Sequence, residues 1–321
     1  MNKIAFILLL TMISFKGFCQ KPDTLIKKLD SLSHKADSAG GQQNNTAASA
    51  YNENTKLTPR SYVILLGSNL KQEFTKPFHM TKRDWGKFGA FAVAIGAMTF
   101  ADEPIQRNAL KFKNNNPSAA KVSKYISAVG GTDEFITLGS LAAYGFIFKN
   151  VKMQTTTLLA SQAYITGAVI EGTLKFLSGR TRPSFYDPTG EAEPTFKGPF
   201  ANTSHDYAGN RSNSSFPSGH ATVAFAAATV YAMEYRKTVW VPIVAYSAAS
   251  LISLSRVTEN KHWTTDVLVG AMLGYLTGKN IVNNYHRYAK LKSPTTPKNS
   301  VSFNLDYYNG QMRPGLVYHI R

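Results

Sequence analysis

The chain has almost no cysteine: Cys19 is the single one among 321 residues. A single cysteine excludes an internal disulfide framework. Sequence repeats with periods of about 20 to 50 residues are also absent, which excludes solenoid and propeller architectures. Because 43% of the residues are hydrophobic and 12% are aromatic, a chain of this length can build one substantial core. We therefore expect one globular domain with tails.

Acidic residues are scarce relative to basic ones. Asp and Glu total 19 against 36 Lys and Arg, which gives a formal net charge of +17. Such an excess favours anionic partners, but the basic residues are scattered and no motif for binding DNA or RNA is visible. The predicted partners are therefore a phosphorylated lipid or small-molecule phosphate and an anionic membrane surface, and nucleic acid is not among them.

Long unbroken apolar runs are also lacking, although a membrane span needs about 20 mostly apolar residues. Six apolar segments have helical length: 88–101, 135–148, 153–177, 221–235, 239–254 and 265–285. The first two are short, and the third contains Gln162 and Glu171. These features predict buried helices of a compact bundle. Integral membrane packing is the alternative, which the Ala and Gly content of 221–228 and 270–278 favours.

The N-terminus has the composition of a secretory signal. Lys3 precedes an apolar run at 4–13, and the small residues Gly17 and Cys19 follow before Gln20. The pattern predicts a signal peptide with cleavage near Cys19, and a lipid-modified cysteine at that position is the alternative. The removed segment would contain two lysines and no acid, so the mature chain would carry +15. We expect an exported protein of the periplasm or cell envelope that is membrane-associated.

Three short blocks in the second half of the chain carry chemically useful residues. The first is KFLSGRTRP at 175–183, the second is PSGH at 217–220, and the third is SRVTENKHWTTD at 255–266. Together they supply Lys, Arg, two His and Asp. That set can hold a tetrahedral phosphate, attack it and protonate its leaving group.

These blocks match Lys-x6-Arg-Pro, Pro-Ser-Gly-His and Ser-Arg-x5-His-x3-Asp in order and without substitution. In this the chain resembles the type 2 phosphatidic acid phosphatase (PAP2) and vanadium haloperoxidase superfamily. Three ordered blocks with fixed spacings are far more specific than any one alone. The resemblance covers roughly residues 85–286, and it implies an all-α fold, a compact six-helix bundle of the PAP2/haloperoxidase type.

The domain organisation follows from these segments. We expect a signal peptide at 1–19, a linker and lead-in segment at 20–80, a PAP2-type phosphatase domain at 81–290 and a C-terminal tail at 291–321. The linker is rich in Ser, Asn, Gln and Ala, which is typical of disorder. In the tail, Asn309-Gly310 separates two weakly alternating stretches at 303–305 and 316–318, which predicts a β-hairpin.

The resemblance implies a role for each motif residue. His262 is the expected nucleophile and His220 the general acid. Asp266, four residues after His262, is expected to bind one ring nitrogen and so to orient the ring. The expected phosphate-binding residues are Lys175, Arg182, Ser218, Gly219 and Arg256. For Arg180, two residues before Arg182, support of its own loop is the alternative to phosphate binding.

The predicted function is that of a metal-independent phosphatase without a cofactor. It would hydrolyse phosphomonoesters or diphosphates, above all of lipids of the phosphatidate, undecaprenyl or lipid A type, through a phosphohistidine intermediate. A non-specific acid phosphatase for soluble esters and a vanadium-dependent haloperoxidase are the alternatives. A non-catalytic envelope binding protein is the least favoured, because both motif histidines are present.

Overall fold

Helices make up most of the computed structural model, which describes residues 55–129, 132–186, 192–201, 211–292, 299–308 and 311–320. In these ranges the α-helices are α1 Pro59–Thr75, α2 Lys82–Asn115, α3 Pro117–Val129, α4 Thr132–Ile147, α5 Val151–Ser178, α6 Gly219–Glu234, α7 Trp240–Thr258 and α8 Thr264–Lys292. Short 3-10 turns occupy Lys76–His79 and Pro183–Phe185. The all-α fold class is confirmed. The predicted signal peptide and most of the predicted linker lie outside the described residues.

All six predicted helices are present, and α1 and α3 are additional. Helix α1 lies in the segment expected to be a lead-in, and its buried face is largely polar. Asn69 of α1 donates a hydrogen bond to Gln162 of α5 at 2.8 Å, and Asn284 of α8 donates one to Asn69 at 2.7 Å. Because most of the buried side chains of α1 are polar, its buried face does not stand out as an apolar stripe in the sequence. The hydrophobic pattern therefore did not predict this helix.

Helix α6 lies at the centre of the bundle, in contact with α5, α7 and α8. Three glycines of α8, at positions 270, 274 and 278, let its backbone touch that of α6. A Cβ atom at Gly274 would lie 2.2 Å from the carbonyl oxygen of Thr222 and 2.8 Å from the amide nitrogen of Ala226. Small residues of this kind permit the closest helix packing. The contact brings together the first turns of α6 and α8, which carry two of the motif blocks.

Several helices expose their apolar sides. In α2 and α7, the most apolar stretches are 6% and 28% buried, and by length and composition both helices can cross a membrane. Large exposed apolar side chains on α2, α4 and α7 include Val93, Phe100, Ile136, Phe146, Ile147, Trp240, Ile243, Val244, Leu251 and Leu254. The expectation that the first two apolar runs, now α2 and α4, are buried is therefore wrong, because most of their apolar surface faces outward.

The predicted C-terminal hairpin is confirmed. Strand β1, Asn299–Tyr308, pairs antiparallel with β2, Gln311–Ile320, and Phe303 lies opposite Leu316. Tyr308 pairs with Gln311, which leaves two residues between the strands. The predicted turn residues Asn309 and Gly310 lie outside the described residues.

The packing of α6 on α8 generates a prediction. Gly274→Ala should lower the free energy of unfolding by about 1–3 kcal/mol, because the new methyl group overlaps the α6 backbone. Gly96→Ala on α2 is the matched control, since a Cβ there meets nothing within 4 Å and alanine favours a helix by up to about 1 kcal/mol. Thermal unfolding in detergent measures both. Equal melting temperatures for the two variants would contradict the close contact.

Candidate active site

The motif blocks meet at one end of the bundle. Lys175 lies in the last turn of α5 and Arg256 in the last turn of α7. His220 and Asp266 lie in the first turns of α6 and α8. Two helix C-termini and two helix N-termini therefore converge there. The N-terminal end of a helix presents unpaired amides and a positive dipole end, which suit an anion.

A cavity of about 280 Å³ occupies this end. Six of the predicted residues line it: Lys175, Arg182, Gly219, His220, Arg256 and His262. The remaining lining residues are Tyr164, Ala168, Glu171 and Val223. Ser218 and Asp266 are not among them, and both are fully buried. Ser218 is the N-cap residue of α6 by position, but its side chain makes no capping hydrogen bond.

His262 is held in one tautomer by a backbone carbonyl. Its side chain is 2% exposed, and Nδ1 lies 2.7 Å from the carbonyl oxygen of Ser215. Because a carbonyl oxygen only accepts hydrogen bonds, Nδ1 carries the proton and Nε2 keeps its lone pair. Nε2 lies 3.4 Å from Nη1 of Arg182. The nitrogen with the lone pair therefore faces a cation at the cavity.

Asp266 supports His262 indirectly. The expected direct hydrogen bond is absent, since His262 Nδ1 and the nearer carboxylate oxygen, Oδ2, are 3.8 Å apart. Asp266 Oδ2 instead accepts hydrogen bonds from Ser215 Oγ at 2.5 Å and from the amide of Trp263 at 3.0 Å. The carboxylate thus fixes Ser215, whose carbonyl orients the ring. The predicted hydrogen bond from Nδ1 to Asp266 does not form, because the single proton on Nδ1 is already donated to the carbonyl oxygen of Ser215.

Arg180 and Asp102 complete this buried support. Arg180 is fully buried and donates to Asp266 Oδ1, and through Nη2 to Asp102 Oδ2 at 2.7 Å. Asp102 also accepts from the amide of Thr265 at 2.9 Å. Arg180 therefore does more than serve its own loop. Asp102 was missed by sequence reasoning, although an acid that directly follows an apolar helical run is a signal of a functional or paired charge.

The cations at the cavity are held by the surrounding chain. Arg182 donates from Nη1 to the carbonyl of Lys261 at 3.0 Å and from Nη2 to that of Ser214 at 3.2 Å. Arg256 donates to Ser127 of α3, so the helix absent from the prediction supports a predicted residue. Donors fixed in this way can stabilise developing negative charge without reorganising.

Both cavity histidines have lowered pKa values. Burial is the main cause that lowers the pKa of His262 well below its usual 6.5, and the nearby cations, Arg182 foremost, lower it further. Burial, followed by the charge of Arg256, lowers the pKa of His220 to about 3. Both shifts favour the neutral form of the imidazole rings.

Burial also affects the neighbouring charges. It lowers the pKa of Lys175, and the carboxylate of Glu171 opposes that shift. It raises the pKa of Asp266, and the guanidinium of Arg180 and the hydroxyl of Ser215 oppose that rise. Two of the buried charges thus pair with a charge of opposite sign, Lys175 with Glu171 and Asp266 with Arg180, which offsets part of the cost of burying them.

Part of the chain matches a known protein family. Residues 156–289 match the family model of the PAP2 superfamily, which is less than half of the chain. The matched range contains all three motif blocks, the helices α6 and α7 and most of α8, whereas Asp102 lies outside it.

The chain is also similar to two curated phosphatases. It is 44% identical over 66 residues, 20% of this chain and 15% of the relative, to a lipid A 1-phosphatase from Porphyromonas gingivalis. It is 31% identical over 129 residues, 40% of this chain and 53% of the relative, to an undecaprenyl-diphosphatase from Sulfolobus acidocaldarius. The matched segments therefore span about half or less of these PAP2 relatives' lengths.

Two solved structures resemble the chain. One is a transmembrane PAP2-type phosphatidylglycerolphosphate phosphatase from Bacillus subtilis, with a TM-score of 0.43 and 22% identity over 61% of this chain and 92% of that one. The other is LpxE from Aquifex aeolicus, with a TM-score of 0.38 and 21% identity over 54% of this chain and 92% of that one.

The lowered histidine pKa values generate a prediction. In the phosphate-free enzyme the rings of His220 and His262 should stay neutral as the pH falls through 6.5, the usual His value. In the unfolded chain they protonate near about 6.5, so their contribution to stability should fall as the pH drops below that value. NMR titration of ring-labelled histidines measures this, with His220→Gln and His262→Gln used for assignment. Protonation of either folded ring near pH 6.5 would contradict the geometry.

Proposed function

We propose that this protein is a membrane-bound phosphatase that removes phosphate from phosphorylated lipids through a phosphohistidine at His262. The observation that carries the proposal is the arrangement of His262. Its Nδ1 donates a hydrogen bond to the carbonyl oxygen of Ser215 at 2.7 Å. Its Nε2 faces the cavity that Lys175, Arg182 and Arg256 line. A neutral imidazole with a fixed lone pair beside several cations suits attack on a phosphate ester.

The reaction runs in two balanced steps. In the first, Nε2 of His262 forms a bond to phosphorus, the bond from phosphorus to the ester oxygen breaks, and His220 gives its proton to the departing oxygen. In the second, water attacks phosphorus and gives a proton to His220, and the bond to Nε2 breaks to release phosphate. Lys175, Arg182 and Arg256 stabilise the charge on the phosphoryl oxygens in both steps.

Binding of the substrate phosphate allows His220 to take up a proton. Burial and, after it, the nearby cations lower the pKa of this histidine to about 3. A phosphate dianion offsets the positive charge, which raises the pKa of His220 and lets it take up the proton for the leaving group. The general acid is therefore charged only when a phosphate group is present, which limits unproductive protonation of the site.

A lipid substrate fits the surroundings of the cavity. The site lies at an end of the helical bundle, while α2, α4 and α7 expose apolar side chains. Tyr164, Ala168 and Val223 give the cavity an apolar part beside its cations. A phosphorylated lipid in a bilayer presents its phosphate at the end of apolar chains, so a protein with this surface meets it in place. The names of the two curated relatives, both lipid phosphatases, support the same substrate class.

The proposal extends to the organisation of the chain. We assign the phosphatase domain to 81–290, with α1 packed onto it, and a signal peptide to 1–19 that directs the active site to the periplasm or cell envelope. His262, His220 and Asp266 are the proposed catalytic and orienting residues. The proposed phosphate-binding residues are Lys175, Arg182, Ser218, Gly219 and Arg256. No metal or cofactor is part of the proposed mechanism.

We expect His262→Ala to abolish turnover while the fold is kept, because the covalent intermediate cannot form. Acid quenching with a ³²P-labelled lipid phosphate should trap label on His262 of the wild type. His79→Ala is the matched control, since His79 also places Nδ1 2.8 Å from a carbonyl oxygen but lies exposed on the surface. Activity should survive excess chelator and be inhibited by vanadate.

Several outcomes would decide against this function. Label on Ser218, or activity that chelator removes and a divalent ion restores, would contradict the mechanism. Faster turnover of soluble esters than of lipid phosphates would favour an acid phosphatase. Robust bromide oxidation by the vanadate-loaded protein with peroxide would favour the haloperoxidase alternative.

The exposed apolar surface predicts tight membrane binding. We expect the protein to stay in the membrane fraction through high salt and through alkaline carbonate, because burial of apolar side chains in lipid does not depend on ionic screening. Immunoblots of washed membranes measure this. Release by salt alone would show that attraction between the basic surface and anionic lipid is sufficient, as the charge of the chain first suggested.

A further inference from the structure

A carboxylate lies inside the proposed phosphate cavity. Glu171 lines the cavity and comes one helical turn before Lys175 on α5. Residues four apart share a face of a helix, so both side chains point to the same place. A negative charge in a site for a phosphate dianion opposes binding, and its presence there needs an explanation.

The position of Glu171 is well defined. Its Oε2 lies 2.9 Å from Nζ of Lys175, and the side chains of the two residues are 16% and 21% exposed. Glu171 also presses against the start of α6. A Cβ atom added at Gly219 would lie 2.5 Å from Glu171 Oε1 and 3.3 Å from Lys175 Nζ. The carboxylate therefore occupies the place where a helix N-terminus and a lysine together would hold an anion.

We infer that Glu171 is an internal competitor of the phosphate group, and that it determines specificity against free phosphate. This inference rests on the proposed function. In the empty site Glu171 pairs with Lys175, and an entering phosphate has to take Lys175 from it. A lipid phosphate has the binding energy of its apolar part to drive that exchange. Inorganic phosphate has none, so it is held weakly and leaves after the reaction.

A purely structural role for Glu171 makes the opposite prediction. If the carboxylate only holds Lys175 in place, its removal disorders the lysine and weakens anion binding. If the carboxylate competes, its removal strengthens anion binding. The sign of the change in affinity thus separates the two roles.

The experiment measures binding of orthovanadate and of inorganic phosphate to the full-length protein in detergent, by calorimetry and ⁵¹V NMR. We expect Glu171→Gln to bind both anions about tenfold more tightly than the wild type, within the usual range of coupling between sites. The affinity of Glu171→Asp for each anion should lie between those of the wild type and Glu171→Gln, because the shorter side chain keeps the charge but withdraws it from Lys175. Glu103→Gln is the matched control, since Glu103 pairs with Arg107 at the same spacing on exposed α2.

The outcomes are distinguishable. If the wild type binds the anions and Glu171→Gln binds them equally or more weakly, the inference is overturned while the proposed function stands. Absence of binding by wild type and Glu171→Gln alike overturns the proposed function and the inference with it. If Glu171→Gln does not fold, Glu171→Asp decides, and affinity equal to or weaker than that of the wild type overturns the inference. In steady-state assays, product inhibition by phosphate should strengthen in Glu171→Gln while the KM for a lipid phosphate changes less.

Discussion

The hydrogen bond from Nδ1 of His262 to the carbonyl of Ser215 is the interaction on which the site depends. It selects the tautomer and directs the lone pair of Nε2 to the cavity. A backbone carbonyl is a rigid acceptor, but only if its own segment is fixed. Asp266 fixes it through the hydroxyl of Ser215, and Arg180 balances the charge of that carboxylate. The catalytic geometry is thus a property of a buried network rather than of two neighbouring side chains.

This network reaches beyond the motif blocks. Asp102 joins Arg180 and the amide of Thr265 to α2, a helix whose most apolar stretch is only 6% buried. Buried ion pairs contribute little net stability, yet removal of one partner is costly because the other charge is left unpaired. Their value here is geometric: they tie the chain that carries His262 to helices that come from distant parts of the sequence.

The cavity has charges of both signs. Burial, followed by the charges of three cations, lowers the pKa of both histidines, and Glu171 pairs with one of these cations, Lys175. In the proposed mechanism, binding of a dianion changes this balance and so couples substrate entry to proton uptake by His220. The apolar side chains that α2, α4 and α7 expose form a separate surface, which suits contact with lipid.

The sequence by itself carried the resemblance to the PAP2 superfamily, and it determined the all-α class, the six main helices, the hairpin and the six motif residues that line the cavity. Spacing within a motif is local, and it survives folding because each block lies at a helix end. Only the tertiary structure decided the hydrogen-bond partner of His262, the contacts of Arg180, Asp102 and Glu171, and the existence of the polar-faced helix α1. It also decided which apolar helices are exposed, because apolar periodicity shows that a face is buried without showing whether protein or lipid covers it.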